Sequence, residues 1–140
     1  MPFDPRSIPP YTVIRVPVVL NGVLERKRFV VISHFNSSAL VIKPTSGVQR
    51  FQSNKNLAAG VVMYDAGEVA VFELPTVVDP GNQFAILHKQ LIDYHTNGEL
   101  EILGTLPPEF EADLRDAIDD SIELSLVKKK RLKSQLPPHP

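Results

Sequence analysis

The dipeptide Asn21-Gly22 constrains this chain more than any other feature. It lies between two β-branched runs, Thr12–Leu20 and Phe29–Ser33. Asn-Gly supplies two consecutive residues that tolerate positive φ, which is what a tight antiparallel hairpin needs. Pro17 lacks an amide hydrogen and assigns its part of the first run to an edge, a bulge or two short pieces. More short apolar runs follow: Ala39–Lys43, Val61–Tyr64, Glu68–Leu74, Phe84–Leu87 and Gly98–Gly104, punctuated by Pro44-Thr-Ser-Gly47, Asp65-Ala-Gly67 and Asp79-Pro-Gly81. Gln90–Tyr94 reads as a short helical turn or a strand, and residues 48–60 as a long polar loop.

One segment has a different period. After Pro107-Pro108, Phe110, Leu114, Ile118, Ile122 and Leu126 recur every fourth residue, which predicts a single amphipathic helix. Acids early and bases late suit the dipole of such a helix. Many short strands followed by one helix predict a mainly β fold: a small, strongly curved antiparallel barrel with a C-terminal amphipathic helix packed on it. The expected organisation is an extended Pro-rich arm over residues 1–11, the barrel and helix over 12–127, and a basic, Pro-ended tail over 128–140.

Composition narrows the chemistry. With 43% apolar and 22% charged residues the chain buries a core, and 140 residues suffice for one domain. The absence of Cys removes disulfides, thiolate zinc sites and cysteine nucleophiles. Four scattered His predict no metal site and no cofactor. There is no apolar run of membrane-spanning length and no basic-then-apolar start, so a cytoplasmic protein without a membrane partner is expected. Charge is segregated. Residues 1–70 carry eight basic and four acidic side chains, residues 71–127 two basic and twelve acidic, and residues 128–140 five basic. A basic first half can hold a polyanion even when the net charge is −1.

Two strand ends carry groups suited to phosphate. Arg28 enters the Phe29–Ser33 strand, and Thr45-Ser46 closes the Ala39–Lys43 strand. A guanidinium fork matches phosphate oxygens and can stabilise a pentacoordinate phosphoryl transition state. RNA brings its own nucleophile in the 2′-hydroxyl, so a ribonuclease needs only orientation, proton handling and charge stabilisation. Arg26, Lys27, Lys43, Arg50 and Lys55 are expected to form a positive groove around these two points, with Phe35 or Phe51 available to stack a base.

Taken in order, these segments resemble the PemK/MazF family of toxin ribonucleases. Lys27-Arg28-Phe29-Val-Val-Ile-Ser33 is similar to its first motif and Leu40-Val-Ile-Lys-Pro-Thr45-Ser46 to its second. Ile102–Phe110 and Asp113–Ser125 are similar to its helix start and terminal helix. Phe29 stands where the family has Pro. The resemblance implies an SH3-like barrel and a metal-independent endoribonuclease that cleaves single-stranded RNA. It also implies a homodimer and a cognate antitoxin that covers the RNA groove. It places the catalytic Arg on Arg28, the catalytic Thr on Thr45 and an accessory acid on Glu25; Ser46, beside Thr45 at the same strand end, is expected to contact RNA. The alternative is a module that keeps the barrel without catalysis and binds RNA or a protein. A gyrase-poisoning cousin ends in a Trp-bearing motif, and this chain has no Trp.

Overall fold

Asn21 (φ 52°) and Gly22 (φ 78°) both take positive φ and turn β1 (Thr12–Leu20) back onto β2 (Val23–Phe35), with Leu20 opposite Val23. The structure is a computed structural model that describes residues 2–140, with Leu20 described by its backbone alone. The elements that follow are β3 (Ser38–Ile42), the short helices α1 (Gln49–Gln52) and α2 (Lys55–Ala58), β4 (Val62–Tyr64), β5 (Thr76–Val78) and β6 (Gln83–Leu87). Then come α3 (His88–Thr96), β7 (Glu101–Thr105), α4 (Glu109–Asp120) and α5 (Leu126–Gln135).

Five strands form one antiparallel sheet in the order β6-β3-β2-β1-β7, and β4 and β5 pair separately. Among the described residues the large sheet is open, with β6 and β7 at its edges. Pro17 lies past Arg15↔Glu101, the last pair between β1 and β7, where its missing amide hydrogen leaves no ladder bond unmade. Helix and strand occupy nearly equal shares of the chain, so the fold is mixed α/β rather than mainly β.

Alternation along the central strands explains their continuous apolar runs, because both faces of the sheet are covered. Val13, Val30, Ile32, Leu40 and Ile42 face α4, α5 and the β4–β5 pair. Ile14, Val16, Phe29, Val31 and Val41 face the opposite way, against Leu91 of α3 and Ile8 of the N-terminal segment. That segment is docked rather than free: it makes a 3-10 turn at Pro5–Ser7, and Phe3 stacks on His95 at 4.3 Å.

Three expectations change. Residues 48–60 contain α1 and α2, with Asn54 capping the second through its side chain. Residues 68–74 make turns, because β4 takes β5 as its partner and leaves them without one. The single long helix is two. It stops at Asp120, where the Ser121 hydroxyl accepts from the Glu123 and Leu124 amides, and Ser125 caps α5. Ile122 and Leu126 therefore leave the stripe and are 65% and 83% exposed. Within residues 128–140, Leu132 and Leu136 enter the core. Burying those two side chains contributes roughly 1.5–3 kcal/mol each. That outweighs the roughly 0.3–1 kcal/mol per cation which the helix dipole opposes at Lys128 and Lys129, now in a first turn rather than a last one.

Candidate functional site

Alternation also sorts the charged residues of β2. Arg26 and Arg28 share the face of Val30 and Ile32, while Glu25 and Lys27 turn to the other, where they pair at 3.0 Å. Glu25 is thus separated from Arg28.

Arg28 and Thr45 do come together. They line one cavity of about 300 Å³ with Arg26, Lys43 and Ser46, and Lys27 borders it. Its far wall is Phe72, Glu73, Leu74 and Thr76. Thr45 is held by its backbone, which exchanges hydrogen bonds of 2.9 and 2.8 Å with Val77 and so ties the end of β3 to β5. The Thr45 Oγ1 accepts from the Gly47 amide at 3.2 Å, leaving its own hydrogen to donate. Lys43 is fixed in the same manner: its carbonyl accepts from Asn82 Nδ2 at 2.7 Å, and its amide donates to the Asn82 carbonyl.

The electrostatics are uneven. Arg15 stands directly opposite Arg28 on one side and opposite Glu101 on the other. It forks onto the Glu101 carboxylate at 2.5 and 3.0 Å, and Arg26 adds a third bond at 2.8 Å. Hydrogen bonds from Arg15 first and Arg26 second pull the Glu101 carboxyl down to about 2. Arg28 receives no such partner. Among the described residues neither Arg28 nor Lys43 has an ion pair, and Arg28 Nε is buried with nothing to bond. A buried donor left unmade costs roughly 1–3 kcal/mol, so its retention calls for an explanation. Glu73 is exposed at the cavity and has no ion pair among the described residues.

Other expected members lie apart. Arg50 pairs with Glu123 at 3.2 Å, sits over the Phe51 ring and lines a second cavity of about 560 Å³ that meets the first at Thr45. Lys55, on α2, lines neither. Phe51 is buried and cannot stack a base, and Phe35, at the far end of β2, borders neither cavity. Glu73, Thr76 and Glu101 escaped the sequence reading, because 68–74 looked like a paired strand and nothing local joins Glu101 to Arg15.

The histidines serve the other side of the sheet. His34 Nε2 donates to the Ile8 carbonyl at 2.9 Å, which leaves Nδ1 to accept from His88 Nε2 at 2.9 Å. Burial, then His34 and Arg6, push His88 below its ordinary value against the pull of Asp4. Among the described residues no three His, Asp or Glu side chains converge to hold a metal ion. Nor is any described helix long and apolar enough to cross a membrane.

Compared with known proteins, the chain matches no family model and no curated sequence significantly.

Proposed function

We propose that the protein is a metal-independent endoribonuclease of the PemK/MazF type, acting on single-stranded RNA at the Arg28–Thr45 cavity. The observation that carries this reading is the Arg28 guanidinium: it lines a cavity beside the Thr45 hydroxyl and Lys43, and among the described residues neither cation has an ion pair. A phosphodiester oxygen is the acceptor that such a group fits.

On this reading Thr45 and Lys43 orient the phosphate while Arg28 stabilises the charge that builds at phosphorus. The 2′-oxygen bonds to phosphorus as the bond to the 5′-oxygen breaks. Glu73 takes the 2′ proton, and the departing 5′-oxygen gains one from solvent. The products are a 2′,3′-cyclic phosphate and a 5′-hydroxyl. Ser46 and Arg26 border the phosphate, and Arg26 shares its charge with Glu101. The bridge from Thr45 to Val77 supports kinship with an SH3-like barrel, since it joins the large sheet to the β4–β5 pair at a corner where such a barrel closes. Exposed Val19, Val23 and Leu24 at the hairpin tip offer apolar surface to a second copy, in keeping with a homodimer. A cognate antitoxin would cover the cavity, and the site of action would be cytoplasmic.

One observation favours the silent module instead: Glu25, the accessory acid of the resemblance, faces away from Arg28. Incubating purified protein with a varied panel of single-stranded RNAs in EDTA separates the two. The ribonuclease reading expects cutting with cyclic-phosphate ends, lost in Arg28→Ala and Thr45→Ala and reduced in Glu73→Gln. Binding without cutting across the panel would support the module.

A further inference from the structure

The basic run of α5 is divided between two faces of the helix. Lys129 Nζ donates to the Asp119 carbonyl and Lys133 Nζ to the Asp119 carboxylate, each at 2.9 Å, so these two staple α5 to α4. Lys128 and Arg131 lie three residues apart and therefore share a different stripe. Both are exposed, and neither has an ion pair among the described residues.

That free stripe continues the candidate site. The cavity around Arg28 meets the second at Thr45. The second in turn meets a third, of about 170 Å³, through Gly81, Leu124 and Lys128, and Arg131 lines its far end. Of the carboxylates along the way, Glu123 is paired with Arg50 and Asp79 Oδ1 accepts from the Gly81 amide at 2.9 Å, while Glu73 borders the first cavity without an ion pair among the described residues. Lys128 also occupies the first turn of its helix, where the dipole disfavours a cation, and no acid offsets it there. Helix stability therefore does not account for its charge.

We infer that Lys128 and Arg131 form an outlying phosphate-binding subsite, so that a single-stranded RNA seated at Arg28 runs past Thr45 and Arg50 onto α5. This rests on the function proposed above and extends it from one phosphate to a track. The chain of cavities predicts that α5 matters for long strands and not for short ones.

Fluorescence anisotropy with labelled 2′-O-methyl RNA, which binds without being cut, tests this. A trinucleotide and an oligomer of about fifteen nucleotides are compared across a salt series. Lys128→Glu with Arg131→Glu is expected to weaken the long oligomer about tenfold and to reduce its log–log salt slope by about 1.4, the share of two phosphates. Trinucleotide binding should not change, and Lys130→Glu, off the track, should change neither. Wild-type affinity of the double variant for the long oligomer would overturn the inference. So would an equal effect of Lys130→Glu, which would mark only general charge. If Arg28→Ala abolishes trinucleotide binding while the α5 variant behaves as wild type, the site stands and the track falls. If wild-type protein binds neither oligomer, both fall.

Discussion

Arg15 and Arg28 face each other across β1 and β2, yet among the described residues only Arg15 has a carboxylate to answer it. Like charges directly opposite in a sheet are unfavourable, and Glu101 relieves one member of the pair alone. The unrelieved member is the one that borders the cavity with Thr45. On the proposed function, binding and stability pull against each other at this residue.

Arg28→Met should show that conflict. Removing a like-charge pair and an unmet buried donor is expected to stabilise the fold by about 1 kcal/mol. The same change should abolish RNA binding. Urea unfolding and anisotropy on one preparation check both. A variant that loses stability along with binding would mean that Arg28 is structural.

Glu101 predicts an acid response. Its carboxyl sits at about 2, below the ordinary 4.5, so the folded protein holds this proton less tightly than the unfolded chain. The network with Arg15 and Arg26 thus stabilises fully above 4.5 and is lost as pH falls from there through about 2. Glu101→Gln should flatten that limb in urea unfolding at successive pH values. It should also release Arg15 and Arg26 and tighten RNA binding at neutral pH.

His88 predicts a second, milder response. Its depressed value means that the folded state resists protonation, so stability is full above 6.5 and declines as pH drops below it. His88→Gln keeps a donor for His34 without titrating. The thermal midpoint of the variant should fall less between neutral and mildly acidic pH. Identical profiles would remove the His34–His88 pair from the account.

The break between α4 and α5 is testable by truncation of side chains. Leu132→Ala should cost about 2–5 kcal/mol, as for a fully buried leucine. Ile122→Ala and Leu126→Ala should each change stability by less than about 0.5 kcal/mol. The reverse order would restore the single stripe.

Much of this was readable in the sequence, and the failures have physical causes. Asn21-Gly22 and the β-branched runs specify β1 to β3 because turn chemistry and strand preference agree there. That Arg28 and Thr45 line one cavity is legible from their positions at strand ends. That Glu25 and Arg28 lie on opposite faces is also legible: they are three residues apart, and a strand turns an odd spacing to opposite faces. Residues 68–74 alternate like a strand, but a strand also needs a neighbour, and pairing is not a local property. Ile122 and Leu126 kept the four-residue spacing past the true helix end, while Ser121 and Ser125 marked the break through their caps. Arg50 looked as available as Arg28 because sequence does not show that Glu123 lies beside it.

The most direct measurement is the nitrogen-15 NMR signal of the Arg28 Nε–H group during titration with a non-cleavable RNA trinucleotide. The account predicts that this signal moves on binding, as phosphate engages the guanidinium, while that of Arg15, already bonded to Glu101, stays in place. An Arg28 signal indifferent to saturating RNA, or one that moves no more than Arg15, would contradict it.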